Sequence, residues 1–345
     1  MPAAGTVPED TRARLERELA SFERVAGAAR LGAGRVERIE RHAFVLHPPG
    51  ARGDDAIDLL FTALMHGNEY GGLPALNAIC GYLERGLLAP SSSIGFLLCN
   101  AEAARRDVRF IERDLNRSFG RTASDTLEDR RAREIEPFIS RARYYINLHQ
   151  TIEPSDAPFF VFKYEEACMR LAHAVSPDTP IVTYWGRAFS PGTGADCTAD
   201  EFVQRAGGTG FSIELGQKGF GRYEVAMGVR VCLDAIAAID GLGRGLALPA
   251  LADCANLVYT WSAVVPYPAG DVVLTSGLKN FQPIAYNQCL GTHDGAPLVA
   301  EQSGLLLFPK YLRSKTEPKP AELYRLLRRP ALRELGQGDC LAPHH

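Results

Sequence analysis

The sequence predicts an α/β fold, a mostly parallel or mixed sheet flanked by helices, followed by a smaller C-terminal β domain. Three observations predict it. Short apolar runs alternate with helical stripes from about residue 56 to 240, which is the pattern of strand–helix–strand units. After Gly245 the pattern changes to short β segments divided by Gly, Asn and Asp turns. The chain has 345 residues, 46% hydrophobic and 23% charged, an ordinary globular balance with room for about two domains. The expected division is a helical extension over 1–35, the α/β domain over 36–245, and a β domain with a tail over 246–345.

Taken in order, Leu15, Leu19, Phe22 and Val25 lie at helical spacing and predict a helix from about Glu9 to Ala28. Val36 to Leu46 alternates and reads as one strand with a wet face. Ala56 to Leu64 is a continuous apolar strand leading into His66-Gly67-Asn68-Glu69. Leu73, Leu76, Ile79, Cys80 and Leu83 then give a helix ending near Gly86. Ile94 to Cys99 is the next buried strand, before a charged loop from Glu102 to Arg121. A helix over about Asp125 to Arg141 precedes a short strand, Tyr144 to Leu148, which ends at His149. Strands follow at Phe159–Phe162, Ile181–Tyr184 and Phe211–Leu215, with helices between them. Val225, Val229, Cys232, Ile236 and Ile239 mark a closing helix. Five β segments are expected between residues 255 and 309. The basic stretch Arg325 to Arg329 reads as part of a surface helix, and the chain ends in a loose tail at His344-His345.

The net charge is -3, which gives no basic field for nucleic acid and no polybasic anchor. Met1 to Val7 is short and uncharged, so it lacks the basic start and apolar run of a signal peptide. No apolar stretch approaches the ~20 residues that span a bilayer. The eight cysteines (Cys80, Cys99, Cys168, Cys197, Cys232, Cys254, Cys289 and Cys340) are scattered without a CxxC pair. That usage predicts reduced, mostly buried thiols in a cytoplasmic protein and argues against cysteine-ligated zinc. Small-molecule chemistry fits this balance, with no nucleic acid and no membrane as partner; a homo-oligomer stays open.

Ligand sites of open α/β sheets form beyond the carboxyl ends of the strands. Three predicted strand ends carry polar residues here: His66 and Glu69, then His149, then Glu214. Two imidazoles and a carboxylate satisfy a catalytic zinc, which takes three protein ligands and keeps a fourth place open. HxxE by itself also fits a strand-end hydrogen bond and a helix cap, and a lone His149 also fits a structural role. Their convergence on one sheet end favours the metal. Glu214, following an apolar strand, is a candidate general base, because partial desolvation moves a carboxyl towards neutrality. Arg109, Arg113, Arg117 and Asn116 fall within nine residues and suit recognition of an anion, although such a run also fits a solvated loop.

Four motifs in order, His66-Gly67-Asn68-Glu69, Asp114-Leu115-Asn116-Arg117, Leu148-His149-x-Thr151 and Ile213-Glu214-Leu215-Gly216, resemble the succinylglutamate desuccinylase/aspartoacylase family, relatives of the zinc carboxypeptidases. The resemblance covers residues 56 to about 240, and Phe281 to Pro309 looks like the family's β domain. It implies a zinc carboxypeptidase-like fold and one Zn2+ per chain bound by His66, Glu69 and His149. It also implies Glu214 as general base on a zinc-activated water and Arg109 as the group polarising the scissile carbonyl. Asn116 and Arg117 would hold the substrate's carboxylate, and the substrate would be an N-acyl amino acid. Three departures stand out. Asn147 precedes Leu148-His149 where many members have Asp. Asp200 to Arg205 offers no tyrosine and only Gln204 or Arg205 near the expected arginine. The β domain has no clear match for the tyrosine that aspartoacylase contributes. A metallocarboxypeptidase acting on a short peptide or cell-wall fragment is the alternative reading, and a metal-free binding protein on the same fold is the second.

Overall fold

A computed structural model describes residues 9–51, 55–121, 124–185, 197–312, 319–331 and 334. The segments Met1 to Val7 and His344-His345 lie outside these described residues. The chain opens with α1 (Glu9–Ala26), then β1 (Arg30–Leu31), β2 (Gly34–Glu40), β3 (Ala43–His47), β4 (Ile57–Ala63), α2 (Gly72–Glu84), β5 (Ile94–Leu98) and α3 (Ala101–Arg105). The next elements are α4 (Leu127–Ile139), β6 (Ala142–Thr151), β7 (Phe159–Lys163), α5 (Glu166–Val175), β8 (Ile181–Tyr184), α6 (Ala199–Arg205), β9 (Thr209–Gln217) and α7 (Arg222–Gly243). The C-terminal part contains β10 (Val258–Pro266), β11 (Val272–Leu274), β12 (Pro283–Ile284), β13 (Cys289–His293), β14 (Ala296–Val299), β15 (Gly304–Leu307) and β16 (Glu322–Arg328).

One mixed sheet runs in the order β1-β2-β3-β5-β4-β6-β9-β7-β8-β10-β16-β15-β12, and β11-β13-β14 form a small antiparallel sheet. Its centre, β5-β4-β6-β9, is parallel. These strands are apolar on both faces because helices cover both sides: α1, α2, α5 and α7 pack on one, α4 and α6 on the other. Leu15, Leu19, Phe22 and Val25 of α1 are buried against the first layer. Each such side chain contributes roughly 1.5–3 kcal/mol of burial. The α/β class with a small antiparallel sheet near the C-terminus is therefore as the sequence predicts.

Two local readings are corrected. Val36 to Leu46 is a hairpin, because Arg41-His42 turn the chain and β3 is buried throughout. The basic run Arg325 to Arg329 begins inside β16, a buried strand of the large sheet, where a surface helix was expected. Arg325 is fully buried there: its guanidinium pairs with Glu322 at 2.8 Å and stacks 4.6 Å from the Trp261 ring centroid. A neutralised, stacked arginine behaves as a core residue, which charge patterning does not reveal. The described cysteines are free, and all but Cys289 are buried. No helix among the described residues is long and apolar enough to cross a membrane.

Candidate metal centre and active site

The carboxyl ends of β4, β6 and β9 set the frame. Leu64, just past β4, adopts a left-handed backbone (φ 56°) that turns the chain towards His66. Gly67 is required by space: a Cβ there would lie 2.3 Å from the Ala103 carbonyl carbon and 2.4 Å from the Ala104 nitrogen of α3. Its φ is ordinary, so close approach and not backbone freedom calls for glycine there. His149 lies within β6, in register with Glu214 on β9.

These placements bring His66, Glu69 and His149 together. One ligand atom from each lies within 4.8 Å of the others, and all three residues are buried. His66 Nδ1 sits 2.7 Å from Glu69 Oε1, and His149 Nδ1 sits 2.8 Å from Glu69 Oε2. Both Nδ1 atoms thus face the carboxylate, and both Nε2 atoms face outer partners. His66 Nε2 lies 2.7 Å from Arg109 NH2 and 3.1 Å from Asp114 Oδ1, and His149 Nε2 lies 2.8 Å from Asn147 Nδ2. The donor set suits a single divalent cation, and a carboxylate behind one imidazole is the usual support for a metal-binding histidine.

The electrostatics agree with this. Burial alone would raise Glu69, but the His66 and His149 imidazoles hold its carboxyl well below the usual range. Asp114 is likewise held low against burial by His66 and Arg109. Burial and Arg109 push His66 down, yet Glu69 and Asp114 outweigh them and its pKa is raised. A cation binding here competes with protons on these nitrogens.

Asn147 is fully buried; its Oδ1 accepts from Thr62 Oγ1 at 2.8 Å. An amide, unlike a carboxylate, can meet either tautomer of His149 by turning its oxygen or its nitrogen to Nε2.

All seven predicted site residues line one cavity of about 700 Å³: His66, Glu69, Arg109, Asn116, Arg117, His149 and Glu214. Arg109 donates to Glu69 Oε1 at 3.1 Å and to Asp114 Oδ2 at 3.2 Å. Glu214 Oε2 is buried and makes no hydrogen bond. Burial, reinforced by Glu69, raises Glu214 to about 7 against the opposing charges of His149 and Arg109. Asn116 Oδ1 accepts from Ala199 N at 3.0 Å, and Arg117 NH1 donates to the Asn116 carbonyl at 2.7 Å.

Four contributors were not singled out from the sequence. Asp114 orients both His66 and Arg109, as described above. Glu128, in the first turn of α4, is 1% exposed and accepts from three successive amides, Ile111 (2.7 Å), Glu112 (3.1 Å) and Arg113 (3.0 Å). It thereby fixes the loop that carries the arginines. Lys310 enters the cavity from beyond β15, brought down to about 8 by burial and by Arg109. Asp200 lines the cavity from α6. Asp114 had a signal, five residues after Arg109 in a quoted motif; the other three depend on tertiary contacts. For Glu128→Gln we expect about a tenfold fall in kcat/KM and a loss of about 1–3 kcal/mol in denaturant unfolding. Unchanged values in both would remove Glu128 as the organiser of this loop.

Residues 55–233 match the model of the succinylglutamate desuccinylase/aspartoacylase catalytic domain. The chain belongs to this family. Succinylglutamate desuccinylase of Pseudomonas fluorescens is 39% identical over 130 residues, 35% of this chain and 38% of that protein. The same-named protein of Ectopseudomonas mendocina is 36% identical over 131 residues, covering 35% and 39%. The matched stretch thus spans under two-fifths of these curated relatives. Among solved structures, the Chromobacterium violaceum succinylglutamate desuccinylase superposes with a TM-score of 0.66 at 19% identity, covering 92% of this chain and 98% of that one. Murine aminoacylase 3 gives 0.58 at 18% identity, covering 80% of this chain and 96% of that one. At these identities the structural likeness speaks for the fold.

Proposed function

We propose that this family member is a zinc-dependent amidohydrolase that cleaves the amide bond of an N-acyl amino acid. The observation that carries the reading is the His66–Glu69–His149 cluster sharing one cavity with Glu214, a buried carboxylate oxygen without a hydrogen bond. The two imidazoles and one carboxylate would hold the zinc. Bound there, zinc would supply Lewis-acid polarisation of the scissile carbonyl and make water acidic enough to ionise near neutrality.

Glu214 Oε2 takes the proton of the attacking water and returns it to the departing nitrogen. Its elevated pKa suits both transfers, since it neither holds the proton too weakly nor too tightly near pH 7. Arg109 offers N–H donors to the carbonyl oxygen as that atom gains charge, while Glu69 and Asp114 keep the guanidinium in place. Asn116 and Arg117 hold the substrate's carboxylate. The segment from Phe308 to Leu312 lines the same cavity, whose volume of about 700 Å³ suits a short substrate. That favours an acylated amino acid over a long peptide. A hydrolysis screen with the zinc-loaded protein over N-acetyl, N-succinyl and N-formyl amino acids, beside short peptides, tests this. Turnover of the acyl amino acids is expected; cleavage of peptides alone would replace it with a carboxypeptidase reading.

A further inference from the structure

The proposed reaction leaves a buried carboxylate of the cavity, Asp200, unused. Asp200 is 3% exposed and lines the same cavity as Glu214. The groups around it are satisfied among themselves. Tyr184 donates to Glu201 Oε1 at 3.0 Å, Thr198 N donates to Glu201 Oε2 at 3.2 Å, and Ala199 N donates to Asn116 Oδ1 at 3.0 Å. The Asp200 carboxylate has the Thr198 hydroxyl and its own backbone amide as donors, with Glu201 repelling its charge and His149 attracting it. No lysine or arginine among the described residues forms an ion pair with it. A buried carboxylate with two local donors and no cationic partner still has acceptor sites unfilled, and a ligand that brings an ammonium offsets its desolvation. Burial raises Asp200 only to about 6, so it is mostly ionised at neutral pH.

Its position also says which half of the substrate reaches it. Asn116, proposed above to hold the substrate's carboxylate, is hydrogen-bonded to the residue next to Asp200. Cations for that carboxylate stand at Arg117 and at Lys310, whose ammonium lies 5.3 Å from the Phe308 ring centroid. The cavity therefore offers positive groups for a carboxylate and one buried negative group nearby. We infer that Asp200 selects the substrate's side chain, favouring an N-acylated diamino acid whose side chain ends in an ammonium over one ending in a carboxylate. A glutamate or aspartate side chain there would meet like charge. This inference rests on the hydrolase reading and narrows its substrate class.

The test uses zinc-loaded protein with Nα-acetyl-ornithine and Nα-acetyl-lysine beside N-acetyl-glutamate and N-succinylglutamate. The diamino substrates are expected to show kcat/KM about 10-fold or more above the acidic ones. In Asp200→Asn that ratio should fall about 10- to 100-fold, mainly through KM, with zinc content unchanged. Asp200→Glu should recover part of it. A wild-type preference for the acidic substrates, or a ratio unmoved in folded Asp200→Asn, overturns the inference. Should Asp200→Asn fail to fold, the wild-type preference decides. Binding gives a readout that needs no turnover: free ornithine should stabilise the zinc-loaded protein against heat more than free glutamate does. If no acyl amino acid is hydrolysed, the hydrolase reading falls, and this comparison still judges Asp200. Equal or reversed stabilisation counts against it.

Discussion

Glu214→Gln is expected to lower kcat/KM by about 10²–10⁴-fold while the zinc content stays at the wild-type level. Gln keeps the volume of the side chain and removes only its capacity to take a proton. Because Glu214 is absent from the metal-ligand cluster, occupancy and turnover should separate in this variant. The pH dependence carries the same signature. Burial, with help from Glu69, has raised Glu214 to about 7, and a base works only when ionised. Activity should therefore fall as pH drops through that pKa. A dication nearby favours the ionised form, so in the loaded enzyme the acid limb should lie below about 7. Residual activity within about tenfold of wild type, with the acid limb intact, would assign the proton transfer to another group.

Glu69→Ala is expected to abolish metal binding and turnover together. This carboxylate faces both ring nitrogens, accepts from Arg109 at 3.1 Å and accepts from the Gln150 backbone N–H at 3.1 Å. Removing it leaves two imidazoles and a guanidinium without their common counter-charge. Loss of one partner from a buried charged network typically costs about 3–5 kcal/mol. A fall of that size in denaturant unfolding of the metal-free protein should accompany the loss of zinc. His149→Ala should also lose zinc but destabilise less, since Glu69 keeps His66 and Arg109. Full zinc occupancy in folded Glu69→Ala would show that the ligands lie elsewhere.

Much of this site was legible because its chemistry sits where strands end. His66, His149 and Glu214 each follow an apolar run, and parallel strands deliver such positions to one edge. The order of the four motifs supplied what single residues could not. The missed features share one cause, that their meaning depends on contacts distant in sequence. Glu128 resembles any acidic residue in a first helical turn until the 111–113 amides close on it. Arg325 resembles a solvated charge until Trp261 and Glu322 are seen to bury it. Gly67 stands out in the sequence only as a motif member, since nothing local reveals that α3 crosses against it. Asp200 stood in a stretch notable only for lacking a tyrosine, and its burial beside Asn116 makes it informative.

The most direct test is metal analysis of the purified protein, with hydrolysis measured on the same sample. The account predicts about one zinc per chain, loss of both zinc and activity after chelation, and recovery of both on adding zinc back. A folded preparation free of metal that still hydrolyses N-acyl amino acids would contradict it.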